Sequence, residues 1–471
     1  MLALAAPIIV FGLVIFVHEL GHFVAAKLTG VYAPRFSIGF GPALFRKRRG
    51  ETEYVLAALP LGGYVRMASR HDAEAALLEG GSEEGSSLKP GDAGYDPDAM
   101  MPFGPKPIPE HRWFESKSLA ARLFIMIAGV VMNVLLAFVV FAAVNAYYGD
   151  QIIPSRVIGA VRTLPAAPSM AALQPGDTIA AINGRAVTSW NDIAERIAET
   201  GGDTVVVRTQ RQEVAIPVNT DGAPAASDVA VSLDFFIPPV IGEVLPNSPA
   251  VRAGLRAGDS VVAIGGEPIV RWSQLQERVG ASAGKDVSFD IARKGQRLSL
   301  TLRPESTTVR DPVTKVTRSV GKIGAVGADV TAREPMTLGR SLSSAVRQTW
   351  GTATKIVEVV HGLLTGGVSP KQLGGPIAIT RASVAAAQSG LESLFMLIAL
   401  LSVNVAVLNL LPIPILDGGQ ILLNIAEAAK GSPFSSRTRE YILRFGLVAI
   451  LLIFALSTFN DVKDGLSRLF G

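Results

Sequence analysis

Four stretches of the chain are long, apolar and nearly free of charge: residues 2–26, 123–149, 393–416 and 445–460. A helix rises ~1.5 Å per residue, so about 20 such residues cross a ~30 Å hydrocarbon layer. The pattern predicts four transmembrane helices, over residues 1–28, 119–149, 391–417 and 441–460. Between the second and third, the apolar period shortens to that of β-strands punctuated by glycine turns. That region repeats itself. IGAV and LQPGDTIAAINGRAVTSW, within 158–190, return as IGEV and LRAGDSVVAIGGEPIVRW, within 241–272, shifted by 82 positions. Each copy continues into a helical stretch (NDIAERIAE, SQLQERVGA) and two strands, which predicts two small β-rich domains over 152–235 and 236–305.

The connecting segments carry weaker patterns. Residues 29–118 read as a loop containing a hairpin at 53–67, EYVLAALPLGGYVRM, with its turn at Pro-Leu-Gly-Gly. Within that loop, residues 68–112 are rich in Glu, Asp, Gly, Ser and Pro and read as a mobile acidic segment. Residues 306–390 form a connector with an amphipathic helix around 346–364, and residues 418–440 a further loop. The fold class expected is a polytopic α-helical membrane protein with two β-rich domains and a membrane-associated hairpin.

Charge gives the spans a direction. Cations follow the first span (Lys27, Arg35, then Arg46, Lys47, Arg48 and Arg49) and precede the last (Lys430, Arg437, Arg439 and Arg444). The positive-inside rule makes those sides cytoplasmic, so both chain ends and the repeats face outward. A cleaved signal peptide fits the first span poorly, because MLALAAP has no basic n-region. Over 471 residues, 49% of them hydrophobic, mean hydropathy is +0.36, which suits a mixture of spans and water-exposed domains. The net charge of +4 is mild and its cations flank the spans, so nucleic acid is excluded as a partner. There is no cysteine, so a zinc ion would need histidine and carboxylate ligands.

Three polar groups interrupt the first span: His18, Glu19 and His22, in HELGH. Ionisable side chains at membrane depth are costly and mark function. Residues four apart share a helix face, so both imidazoles can reach one metal ion. This is the HExxH arrangement, in which neutral imidazoles hold Zn²⁺ and the glutamate takes a proton from the water that the metal activates. A catalytic zinc needs a third ligand, and no HExxHxxGxxH continuation provides it. Asp417, the lone charge between Glu392 and Glu427, follows the helix-breaking Pro412 and Pro414 in NLLPIPILDGGQ. By topology it lies at the same inner depth as HELGH, which makes it the expected third ligand. His71, His111 and His361 have no ligand-like neighbours and read as solvated or structural. Gly129 and Asn133 share a face of the second span, either for close helix packing or for a hydrogen bond from Asn133 to a substrate backbone. The 53–67 hairpin likewise reads either as an ordinary lobe or as an edge offering backbone groups to an extended substrate.

HELGH, FSIGFGP, LPLGGYV, Gly129 with Asn133, LGGP and NLLPIPILDGG occur in the order found in the site-2 protease family, which the chain resembles over nearly its whole length outside 68–112. Val130 and Gln420 stand where proline and histidine are common in that family. The repeated GD-x-[IV]-x-x-I-x-G pattern is similar to bacterial PDZ domains, which bind peptide ends or strands; a size filter that grips no peptide fits as well. The resemblance implies a zinc-dependent intramembrane endopeptidase of the bacterial inner membrane. Its zinc ligands would be His18, His22 and Asp417, and its base Glu19. Asn133, Asn409, Gly62 and Gly63 would handle substrate. Implied partners are membrane lipid and transmembrane substrates such as a pre-trimmed anti-sigma factor of the envelope stress response or remnant signal peptides. The alternatives are a non-enzymatic PDZ scaffold of the envelope and, with few polar groups to support it, a metal transporter.

Overall fold

The computed structural model describes residues 2–69, 88, 90, 91, 94–310, 317–370 and 374–470. Most of the expected acidic segment, with His71, lies outside these residues. The chain divides into two units, Met1–Gly149 with Pro335–Gly471, and Asp150–Glu334.

In the first unit, four helices are long and apolar enough to cross a membrane, with spans at Ala5–Leu28, Leu119–Tyr148, Leu391–Asn409 and Arg437–Lys463. The first belongs to α1 (Leu2–Leu28). The second, α2 (Leu119–Tyr148), starts where Ser118 accepts a hydrogen bond from the Ala121 N–H and stops at Gly149. Hydrocarbon is as apolar as leucine, so such helices associate through close packing rather than hydrophobic burial. α1 and α2 meet at small residues: a Cβ on Gly21 would lie 2.4 Å from the Ala128 carbonyl oxygen. In the second unit lie α3 (Trp190–Ala198) and α4 (Trp272–Ala281).

The chain then returns to the first unit with α5 (Leu338–Thr365), which begins earlier than the expected amphipathic helix, followed by α6 (Pro376–Ser389) and α7 (Leu391–Asn409). α7 packs Leu394 and Ile398 against Ala6, Val10 and Val14 of α1. Its Ala399 and Val403 meet Ala137 and Phe141 of α2. The loop expected at 418–440 contains α8 (Asp417–Lys430). Charges near its end hid a helix whose first-turn glycines, Gly418 and Gly419, pack on the preceding turn. The last helix, α9 (Ser436–Phe470), runs past the expected end at 460. Asp461 explains the extension: its carboxylate accepts the N–H groups of Gly375 and Ala378, at 3.0 and 2.9 Å, and so caps the start of α6.

The hairpin expected at 53–67 does not close on itself: its arms, 52–57 and 63–66, flank segment 35–38 instead of pairing with each other. β1 (Arg35–Arg49) and β2 (Thr52–Arg66) pair along two registers, Phe36 lying opposite both Tyr54 and Val65. Segments 43–49, 52–57, 35–38 and 63–66 therefore stand side by side in that order. β1 can fold back because Gly39 and Gly41 adopt φ of 91° and 85°, which suit glycine. The turn between β1 and β2 is tethered. Glu51 accepts hydrogen bonds from Arg112, at 2.7 and 2.9 Å, and from Lys27 at 2.6 Å, and these cations draw its carboxyl down to about 2.

In the second unit the sequence repeat becomes a structural one. Strands 179–182, 185–186, 204–209 and 213–217 form a four-stranded sheet, matched by strands 260–264, 267–268, 287–293 and 296–302. α3 and α4 press Ile193 and Ile197, and Leu275 and Val279, into the two cores. Each such side chain gains about 1.5–3 kcal/mol on full burial from water. The second copy does not stop at 305 as expected, because Ala325–Gly327 pairs with Ile241–Val244.

Candidate metal centre

Successive turns of α1 carry His18 and His22, both 7% exposed, with their rings edge-on at 4.7 Å. Their Nε2 atoms are 3.2 Å apart. Asp417 arrives from the other end of the chain. α7 ends at Asn409, the prolines prevent its continuation, and α8 opens on Asp417 itself. The glycines that follow are needed for close approach: a Cβ on Gly418 would lie 2.2 Å from the Leu410 oxygen, and one on Gly419 2.1 Å from the Ile413 oxygen. At the first turn of a 14-residue helix, the carboxylate also faces the positive end of the helix dipole.

Asp417 Oδ2 is 3.3 Å from His18 Nε2, and Oδ1 is 3.4 Å from His22 Nε2. These three residues are the group of potential ligands found among the described residues, one ligand atom from each lying within 4.8 Å of the others. Ligands about 2.0–2.1 Å from a tetrahedral zinc are about 3.3–3.4 Å from each other. The two Nε2 atoms match that figure at 3.2 Å, and each lies 3.3 or 3.4 Å from a different oxygen of Asp417. Asp417 Oδ2 is moreover buried without a hydrogen bond of good geometry. Two imidazole nitrogens and a carboxylate, converging in a buried site, fit Zn²⁺.

α2 forms the wall behind the histidines. His22 Nδ1 donates to the Ile125 carbonyl at 2.8 Å, which assigns the proton to Nδ1 and leaves Nε2 free to ligate. One turn on, a Cβ at Gly129 would lie 2.4 Å from His22 Nε2 and 2.8 Å from His18 Cε1. Gly129 was expected to serve helix packing; what it packs against is the pair of rings. Sequence reasoning missed the Ile125 carbonyl, whose only trace is its four-residue spacing to Gly129.

The remaining expected residues divide in two. Asn409 places Nδ2 3.0 Å from His18 Nε2, and Asn133 places Nδ2 3.5 Å from His18 Nδ1. Glu19 interacts electrostatically with His22, His18 and Asp417, and lies against segment 63–66: a Cβ on Gly63 would be 3.0 Å from Glu19 Cγ. Gly62 instead makes room for a ring, since its Cβ would lie 1.9 Å from Phe40. His111 and His361 are exposed and stand outside the cluster.

Residues 6–453 match Peptidase family M50. The chain is 32% identical to Regulator of sigma-E protease RseP of Salmonella typhimurium (strain 14028s) over 97% of its own length and 98% of that protein. It shares the same identity and coverage with RseP of Escherichia coli K12. A protein of Neisseria meningitidis serogroup A, provisionally named a zinc metalloprotease, is 30% identical over 94% of this chain and 95% of its own.

Proposed function

Because the chain belongs to peptidase family M50, and is a site-2-type zinc metalloprotease, we propose that it hydrolyses peptide bonds inside the transmembrane segments of single-span membrane proteins. The observation that carries this reading is the meeting of His18, His22 and Asp417 within the membrane-spanning unit. These three would hold the ion. When bound, Zn²⁺ supplies Lewis-acid polarisation of the scissile carbonyl and activates water near neutral pH. Glu19 takes the proton of the attacking water as hydroxide adds to the carbonyl carbon, and delivers it to the amine nitrogen as the C–N bond breaks.

A substrate helix hides its carbonyls in i to i−4 hydrogen bonds and must be drawn out first. Segment 63–66 ends the sheet next to Glu19, and an edge strand there suits an extended substrate. Gly62 and Gly63 let Phe40 and Glu19 pack close against that segment, and Asn409 offers amide donors beside His18. Substrates of this kind include an anti-sigma factor already cut on its outer side and remnant signal peptides, by analogy with relatives named for sigma-E regulation. The paired repeats are read as PDZ-type modules that bind peptide ends or admit only trimmed substrates. The protein is assigned to the bacterial inner membrane, with the repeats and both chain ends on the periplasmic side.

The test is elemental analysis of protein purified in detergent, alongside chelator-sensitive cleavage of a single-span substrate. Glu19→Gln should keep its zinc and lose at least about 10²–10⁴-fold in rate, and Asp417→Asn should lose zinc. Cleavage by Glu19→Gln at the wild-type rate would remove the base from the mechanism.

A further inference from the structure

We propose that Asn133 is a positioning residue for the metal centre: its side-chain oxygen accepts the Nδ1–H of His18 and holds that ring with Nε2 toward the metal. The inference rests on the reading of His18 as a ligand. A neutral imidazole carries one proton, so an Nε2 free to ligate requires Nδ1–H, and a buried N–H requires an acceptor. Asn133 is the side chain at that nitrogen, 3.5 Å away and fully buried. Its amide turns Nδ2 toward Nδ1, which sets donor against donor, while Oδ1 is buried with no hydrogen-bond partner among the described residues. A half-turn of the amide exchanges two groups of nearly equal shape and cures both faults.

The neighbouring histidine is already supported in this way, by the Ile125 carbonyl on Nδ1 at 2.8 Å. Ile125, Gly129 and Asn133 follow one another at four-residue intervals on α2. One face of that helix would thus orient His22, make room for both rings, and orient His18. Ser402 of α7 donates to the Asn133 carbonyl at 2.8 Å, which fixes the backbone at this turn. Substrate handling, the role implied by family resemblance, suits the partly exposed Asn409 better than an amide closed off from solvent.

The test titrates Zn²⁺ against a competing chelator on the full-length protein in detergent, comparing wild type, Asn133→Leu and Asn133→Asp. Loss of a ring-orienting partner lowers metal affinity about 10–100-fold, the loss expected for Asn133→Leu. Asn133→Asp, which keeps an acceptor, should bind clearly more tightly than Asn133→Leu. KM for a single-span substrate, measured on zinc-saturated Asn133→Leu, should be unchanged. If the leucine variant fails to fold, Asn133→Ala replaces it. Wild-type zinc affinity in the variant lacking the acceptor, with or without a raised KM, overturns the proposal, as does equal weakness of the leucine and aspartate variants. His22→Ala serves as the control. Wild-type affinity there would mean that the ligand assignment itself is wrong, an outcome distinct from a failure at Asn133 alone.

Discussion

Gly129 has no functional group, yet it sets how near α2 can come to the imidazoles. Gly129→Ala would push a methyl group to within 2.4 Å of His22 Nε2 and 2.8 Å of His18 Cε1, where both rings are held from behind. The expected result is a variant that inserts in the membrane normally but retains at most about a tenth of the wild-type zinc, in line with losses seen when ligand-orienting groups are disturbed. Elemental analysis of the purified variant decides it. At this level the sequence was legible wherever chemistry needs a side chain in an unlikely setting. HELGH interrupts an apolar run, and Asp417 is a lone charge between two prolines and two glycines. The Ile125 carbonyl was illegible because every residue has one, and Gly129 was legible only as a small residue, not as the seat of the rings.

Patterns long enough to cross a bilayer were read correctly as helices, because a span must satisfy all its backbone groups internally and so declares itself in hydropathy. Shorter elements were not. α6 and α8 are 14 residues each and lack a bilayer-length run, and β1 was hidden in a glycine-containing stretch that ends in four cations. The turn between β1 and β2 is tethered by Glu51, whose carboxyl is held at about 2 by Arg112 and Lys27. A carboxyl whose pKa falls on folding stabilises the folded state above its unfolded value, near 4.3, and loses that contribution as pH drops toward the folded value. Glu51 is a third exposed, so solvent screening reduces the effect to on the order of 1 kcal/mol. The stability gap between wild type and Glu51→Gln in detergent should accordingly be present at pH 7 and vanish toward pH 2. Thermal unfolding across that range measures it, and a gap constant with pH would mean that the ion pairs contribute nothing.

The two units live by different solvents. The first exposes Val131, Leu135, Val139, Phe445 and Leu452 on helices that need hydrocarbon around them, whereas the second buries its own apolar clusters. Residues 150–334 expressed alone should therefore be soluble without detergent and unfold cooperatively, as circular dichroism would report. Their duplication was legible from the 82-residue shift of glycines and tryptophans. Its ionic part was not: Arg211 reaches Asp177 at 3.3 Å and Arg293 reaches Asp259 at 2.6 Å, repeating the same shift with arginines remote from the Gly-Asp motif. The short Asp150–Ile152 strand pairs with Ala332–Glu334 and so joins the beginning and end of this unit.

His18 and the Asn409 beside it are 391 positions apart, and Asp417 comes later still. A ribosome adding 5–20 residues per second needs about 20–80 s to travel that distance. Throughout that interval the nascent polypeptide carries both imidazoles and the glutamate without the acid that completes their set. On the proposed ligands, a product cut short anywhere before position 417 is proteolytically silent, and cutting power arrives only when nearly the whole message has been read.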